Sequence, residues 1–255
     1  MVQNKSMTTV RLLPIFKDNY VFLIENQETK EVIIVDPGDS GPVIKHFESN
    51  PHLQPVGILI THHHNDHIGG TKELRSKYSL TCFAPEKNKN HIPYADEYLK
   101  EGDQVILAGE NFEVIELPGH TLGHIAYFNK KHNWLFSGDV LFGLGCGRVF
   151  EGTMEQMFES LQKIKRLPKT TLVYCTHEYT ETNYEFCRRL SDFDEAPING
   201  ENESLLIYGN ELKHKRELGL PSVPLKLEIE KDTNPFLLAH NTHEFTKLRE
   251  LRNQF

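Results

Sequence analysis

The chain has 255 residues, with 28 Lys and Arg against 36 Asp and Glu, a formal net charge of −8 and 14 histidines. That length allows one large domain or two smaller ones, and 38% apolar with 25% charged residues excludes wholesale disorder. The acidic total argues against non-specific nucleic-acid binding, which needs many phosphate-neutralising Lys and Arg.

No run approaches the roughly 20 apolar residues that cross a bilayer. The start, MVQNKSMTTV, lacks the apolar core of a secretory signal, so a cytoplasmic protein without a membrane partner is expected. Val21–Ile24 and Val32–Val35 read as strands, the second running into the turn signal Asp36-Pro37-Gly38. Gly57–Ile60 is a further compact strand and leads into Thr61-His62-His63-His64-Asn65-Asp66-His67. Ile68-Gly69-Gly70 should then turn the chain into a helix at Thr71. Phe112–Leu117, Ile125–Phe128, Trp134–Phe136 and Thr171–Tyr174 read as later strands, each ending at a polar, Gly-rich or His-rich segment. Thr153-x-x-Gln156 is a capping box ahead of Met157, Phe158, Leu161, Ile164 and Leu167 at helical spacing. Beyond about residue 178 the strands thin out. Pro221 and Pro224 mark a connecting stretch, and a last helix begins near Asn241 with Phe245, Leu248 and Leu251 on one face. The four cysteines, Cys82, Cys146, Cys175 and Cys187, contain no C-x-x-C pair and are expected to be reduced.

The histidine-rich stretch carries the chemistry. His62 and His64 are two apart, so in extended backbone they point the same way. Asp66 and His67 fall where the chain bends, and can face a second position. Imidazole and carboxylate together suit zinc, iron or manganese. A surface histidine run is the ordinary explanation for any one of these residues, but not for four ligand types in six positions at a strand end. His63 and Asn65 are read as non-ligands. Three further strand ends offer His120 in Pro118-Gly119-His120-Thr121-Leu122-Gly123-His124, Asp139 in Phe136-Ser137-Gly138-Asp139, and His177 in Cys175-Thr176-His177-Glu178. Seven candidates suit two metals with one shared ligand. Spacing does not separate His120 from His124.

T-H-H-H-N-D-H followed by G-H-T-L-G-H, S-G-D and C-T-H-E-Y-T resembles the metallo-β-lactamase superfamily. Within it, the chain is similar to the glyoxalase II (hydroxyacylglutathione hydrolase) family, on the strength of G-C-G-R-V-F-E-G-T at 145–153, H-E-Y-T at 177–180, T-N-P-F-L at 233–237 and the Arg249/Arg252 pair. The resemblance implies an αββα sandwich of two mixed sheets followed by a small C-terminal helical domain, an α+β/α/β chain divided at 1–177 and 178–255. It implies His62, His64 and His120 on a first metal, Asp66, His67 and His177 on a second, and Asp139 bridging them, which selects His120 over His124. The expected cofactor is two divalent metal ions per chain, Zn2+ with Fe or Mn as alternatives.

The implied reaction is hydrolysis of S-D-lactoylglutathione to D-lactate and glutathione, the second step of methylglyoxal detoxification, by a metal-bridging hydroxide. No protein nucleophile is expected; Asp66 is a candidate for orienting the water. The same resemblance places Arg148, Phe150, Tyr179, Arg249 and Arg252 around the glutathione moiety, where guanidinium groups would clamp its carboxylates. Arg249 and Arg252, three apart on the last helix, are expected on one surface strip. Phe150 stands where some relatives have tyrosine, and Leu238 where many have arginine. The expected partner is the small thioester, with the protein a monomer. A mononuclear-iron persulfide dioxygenase of the same fold, a β-lactamase and a catalytically silent metal-stabilised binding module are the competing readings.

Overall fold

The structure, a computed structural model, describes residues 8–193, 196–197 and 203–255. Two six-stranded sheets run through the chain. The chain divides into two compact units, Met1–Ile115 with Tyr127–Lys130, and Glu116–Ala126 with Lys131–Phe255.

The first unit opens with β1 (Thr8–Ile15), β2 (Asn19–Asn26) and β3 (Glu31–Val35), then α1 (Ser40–Ser49), β4 (Gln54–Leu59), α2 (Asn65–Ile68), α3 (Thr71–Tyr78), β5 (Thr81–Pro85) and β6 (Glu97–Leu99). Its sheet runs β1-β2-β3-β4-β5-β6 and is mixed, antiparallel from β1 to β3 and parallel from β3 to β6. Strands β2 and β3 are almost wholly buried, which fits their near-continuous Val, Ile, Leu and Phe. Strand β1 escapes detection in the sequence because its burial alternates irregularly and it contains Pro14. It lies at the sheet edge, where proline is tolerated. Val43 and Phe47 of α1 and Leu74 of α3 pack into the same apolar core as Val21, Ile34 and Ile58. The antiparallel pair β7 (Gln104–Leu107) and β8 (Glu110–Glu116) is joined by Ala108-Gly109, both at positive φ, the backbone of a two-residue hairpin turn.

After β9 (Ile125–Asn129), the second unit continues with β10 (Trp134–Gly138), β11 (Leu141–Phe142), β12 (Gly145–Cys146), α4 (Met154–Lys165), β13 (Leu172–Cys175) and α5 (Thr180–Arg188). It then adds α6 (Glu203–Glu217), β14 (Leu225–Lys226), α7 (Leu227–Thr233), α8 (Pro235–Leu238) and α9 (Thr242–Gln254). β10 pairs parallel with β13, and β13 antiparallel with β14. The helical tail therefore contributes one short strand that the sequence does not announce; two residues are too few to carry a periodicity. Helix α4 starts on the expected capping box: Thr153 Oγ1 accepts from Gln156 N, and Gln156 Oε1 accepts from Thr153 N. Met157, Leu161 and Ile164 form its buried face. Asn241 caps α9 by accepting from Glu244 N, and Phe245 and Leu248 are fully buried. All four cysteines are buried and free. Among the described residues, no helix is long and apolar enough to cross a membrane.

Thr153→Ala removes the acceptor at the start of α4. We expect a loss of about 1 kcal/mol in urea denaturation with an unchanged m-value. An unchanged midpoint would show that the cap contributes nothing to stability.

Candidate metal centre

In the first unit the ligand-type residues follow β4. Tyr127, fully buried, donates its hydroxyl to the Ile60 carbonyl at 2.9 Å, fixing the strand end. His62 is buried and His64 half-buried. His64 has extended backbone and serves as the N-cap of α2. The two imidazoles converge, with His62 Nε2 3.0 Å from His64 Nδ1. Asp66 and His67 occupy the single turn of α2 rather than an open bend, and His67 Nε2 lies 3.7 Å from Asp66 Oδ2. The expected helix at Thr71 follows as α3.

Two residues outside the candidate ligand set hold this arrangement. Asp36, buried, accepts from Thr61 N at 2.8 Å and Thr61 Oγ1 at 2.6 Å, and its Oδ2 lies 3.0 Å from His67 Nδ1. A carboxylate on Nδ1 fixes the tautomer and leaves the Nε2 lone pair for a metal. Asn19 Nδ2 donates to Asp66 Oδ2 at 2.9 Å. The signal for Asp36 was available: it too ends a buried strand, but Asp36-Pro37-Gly38 reads more simply as a turn. Gly38 is required for packing, since a Cβ there would run into the Asp66 carbonyl oxygen. His63 stacks on His91 with ring centroids 4.1 Å apart.

In the second unit His120, Asp139 and His177 come together from three strand ends, all buried. Asp139 Oδ2 lies 3.2 Å from His177 Nε2 and 3.5 Å from His120 Nε2. His120 Nδ1 lies 2.8 Å from the Arg148 carbonyl oxygen, so Nδ1 carries the proton and Nε2 is the donor atom. His124 is engaged differently: its Nε2 accepts from Asp139 N at 3.1 Å. Among the described residues His120, and not His124, falls within a group of ligand-type atoms close enough to share an ion.

The five residues expected around an anionic substrate also belong to this unit. Arg148 and Phe150 are exposed, with the guanidinium 5.9 Å from the phenyl centroid. Tyr179 is half-buried and stacks on His177, centroids 4.6 Å apart and planes 8° apart. Arg249 is not on the expected surface strip. It is 5% exposed, donates from Nη1 to the Cys146 carbonyl at 2.7 Å, and keeps a buried Nε with no hydrogen-bond partner among the described residues. Helical spacing could not reveal this, because the acceptor lies 103 residues away. Arg252 Nε donates to Asn183 Oδ1 at 3.1 Å. Burial lowers the Arg252 pKa, and the charges of Arg249 and Arg148 add to the effect. Two guanidiniums thus bear on that of Arg252.

Burial holds every thiol protonated: Cys82 is pushed up to about 12, and Cys146 is raised despite the adjacent Arg249. Cys175 and Cys187 are raised as well. None is poised as a nucleophile.

Residues 16–177 match the metallo-β-lactamase superfamily and residues 178–255 the hydroxyacylglutathione hydrolase C-terminus. The hydroxyacylglutathione hydrolase of Bdellovibrio bacteriovorus is 59% identical over 96% of this chain and 97% of its own. The chain belongs to the hydroxyacylglutathione hydrolase family. The Vibrio campbellii hydroxyacylglutathione hydrolase is 43% identical over 98% of the chain and 100% of its own. A crystal structure of the BLEG-1 B3 metallo-β-lactamase matches 91% of the chain and 100% of its own, with a TM-score of 0.66 and 24% identity. That likeness shows the expected fold. Membership of this family makes the enzyme a thioester hydrolase, and the His and Asp clusters are those of a superfamily that works with divalent metals. The donor set fits such ions: imidazole nitrogens with fixed tautomers, joined by carboxylates.

Asp36→Asn tests the tautomer lock. An amide NH2 facing His67 Nδ1 would move the ring proton to Nε2, and metal affinity should fall by about 10–100-fold. Elemental analysis after dialysis, with circular dichroism as a fold control, reads this; full metal content would contradict it.

Proposed function

We propose that this enzyme hydrolyses S-D-lactoylglutathione to D-lactate and glutathione at a binuclear Zn2+ centre. His62, His64 and His120 would hold one ion, Asp66, His67 and His177 the other, and Asp139 both. The observation that carries the reading is the single oxygen, Asp139 Oδ2, within 3.5 Å of both His120 Nε2 and His177 Nε2. A carboxylate placed between imidazoles from the two ligand sets has the chemistry of a bridge. When bound, such ions generate hydroxide from water near neutral pH and polarise the carbonyl that it attacks.

The chain's own residues do the rest. Asp36 and the Arg148 carbonyl set the tautomers of His67 and His120, so the ligand nitrogens need no reorganisation. Asn19 holds Asp66, the candidate for orienting the attacking water. The buried thiols leave the attack to water. The departing glutathione is a thiol of ordinary acidity, with a pKa of about 8.5, so it leaves as a thiolate without a strong general acid. Residues 1–177 act as the metal-binding domain and 178–255 as the substrate-binding helical domain. Four reduced cysteines suit a cytoplasmic enzyme.

Arg148, Arg249 and Arg252 supply the anion-binding end. A carboxylate-bearing ligand would offset the charges that Arg249 and Arg148 place on Arg252, and would offer an acceptor to the Arg249 Nε that has no hydrogen-bond partner among the described residues. Tyr179 and Phe150 flank it as aromatic surfaces, Phe150 without a hydroxyl to donate.

The test is thioester hydrolysis, followed by loss of absorbance, in the wild type and in the Arg249→Ala/Arg252→Ala double variant. We expect robust wild-type turnover, and in the variant a rise in KM of about tenfold or more that exceeds the fall in kcat, because the contacts are remote from the reacting carbon. Wild-type protein that instead consumes oxygen with glutathione persulfide would overturn the reaction, and an unchanged KM would overturn the anchor.

A further inference from the structure

The hairpin β11–β12 lies between Asp139 and Arg148, and besides its own strand pairing, side chains from the helical tail reach every carbonyl from Phe142 to Cys146. Asn234, the N-cap of α8, donates from Nδ2 to the Phe142 and Gly145 carbonyls, both at 3.1 Å. Asn183 of α5 donates to the Gly143 carbonyl at 2.9 Å. The Cys187 thiol reaches the Leu144 carbonyl at 3.5 Å, and Arg249 takes the Cys146 carbonyl. Leu144 sits at φ 54°, a left-handed conformation that a bulky residue adopts only under constraint.

The constraint on Leu144 converges on Glu230 of α7. This fully buried carboxylate accepts from Leu144 N at 2.8 Å, from Asn234 Nδ2 at 3.0 Å and from the Tyr208 hydroxyl at 2.8 Å. It thus holds the strained residue directly and orients the amide that holds the residues on either side. Burial pushes its pKa up to about 7, while the three donors oppose the shift. Nothing in the hydrolytic chemistry uses it.

The hairpin is also the common mount of the three guanidiniums. Arg148 follows it by two residues, Arg249 is fastened to its Cys146 carbonyl, and Arg252 is fastened to Asn183, which holds its Gly143. A shift of the hairpin tip would move all three relative to one another. We propose that Glu230 is a positioning residue for substrate binding: its carboxylate grips the β11–β12 hairpin and thereby sets the spacing of Arg148, Arg249 and Arg252 and the affinity for the anionic end of the substrate. The proposal rests on the reading that these arginines anchor the thioester.

Steady-state kinetics of the metal-loaded enzyme with S-D-lactoylglutathione tests it. Glu230→Ala should raise KM about tenfold, equivalent to about 1.4 kcal/mol, with a smaller change in kcat and the metal content of the wild type. Glu230→Gln should restore a KM near that of the wild type, because its amide oxygen can still accept from Leu144 and Asn234 while its NH2 donates to Tyr208. Glu230→Asp, one methylene shorter, withdraws the acceptor and should give an intermediate KM; it serves as the second probe if the alanine variant does not fold. A folded Ala or Asp variant with the wild-type KM, or a Gln variant as impaired as Ala, would overturn the grip. If the Arg249/Arg252 double variant itself leaves KM unchanged, the anchor reading fails first and takes this proposal with it. A raised KM in that variant beside unaltered Glu230 variants isolates the failure to the grip.

Discussion

One carboxylate oxygen organises the second unit. Asp139 Oδ2 stands 3.2 Å from one imidazole and 3.5 Å from another, and buried groups brought this close must be paired or ligating to persist. The surrounding backbone is shaped to keep it there. Asp139 N is bound by His124, Gly147 N returns to the Val140 carbonyl at 3.0 Å, and a Cβ at Gly147 would run into the Asp139 carbonyl. His124 therefore has a positional role: it orients the segment that carries the carboxylate. The first unit has its own version of the same constraint in Asp36, which ties Thr61 and His67 together across 31 residues of sequence.

The division of labour follows from what each kind of element can do. Strand ends are rigid and place short side chains accurately: His62, His120, Asp139 and His177 each follow a strand by four residues or fewer, while Asp66 and His67 sit on the short helix α2. Helices present long side chains, and the tail uses them for two tasks. Arg249 and Arg252 carry charge. Asn183, Glu230 and Asn234 satisfy the backbone of a tight hairpin that would otherwise bury unpaired carbonyls. Arg249 performs both at once, almost fully buried with no acidic partner among the described residues.

Four of the candidate ligands were legible in the sequence because their pattern is local: four ligand types within six positions after an apolar strand. The strands with continuous apolar runs and the capped helices α4 and α9 were legible for the same reason. Asp36, Asn19, Asn183 and Glu230 were not, because each acts on a group 25 to 86 residues away, and an isolated Asp, Asn or Glu looks like solvated surface. Arg249 was misplaced on the surface on that same default. Edge strand β1 and the two-residue strands were hidden by proline and by brevity. His120 and His124 were not separable by spacing, because which imidazole joins a ligand group depends on contacts between residues far apart in sequence.

The central claim is that thioester hydrolysis needs two metal ions held by these seven residues. Titrating metal-free protein with Zn2+ while following S-D-lactoylglutathione hydrolysis measures this directly. Full activity should be reached only at two equivalents per chain. Full activity at one equivalent, or none at two, would contradict it.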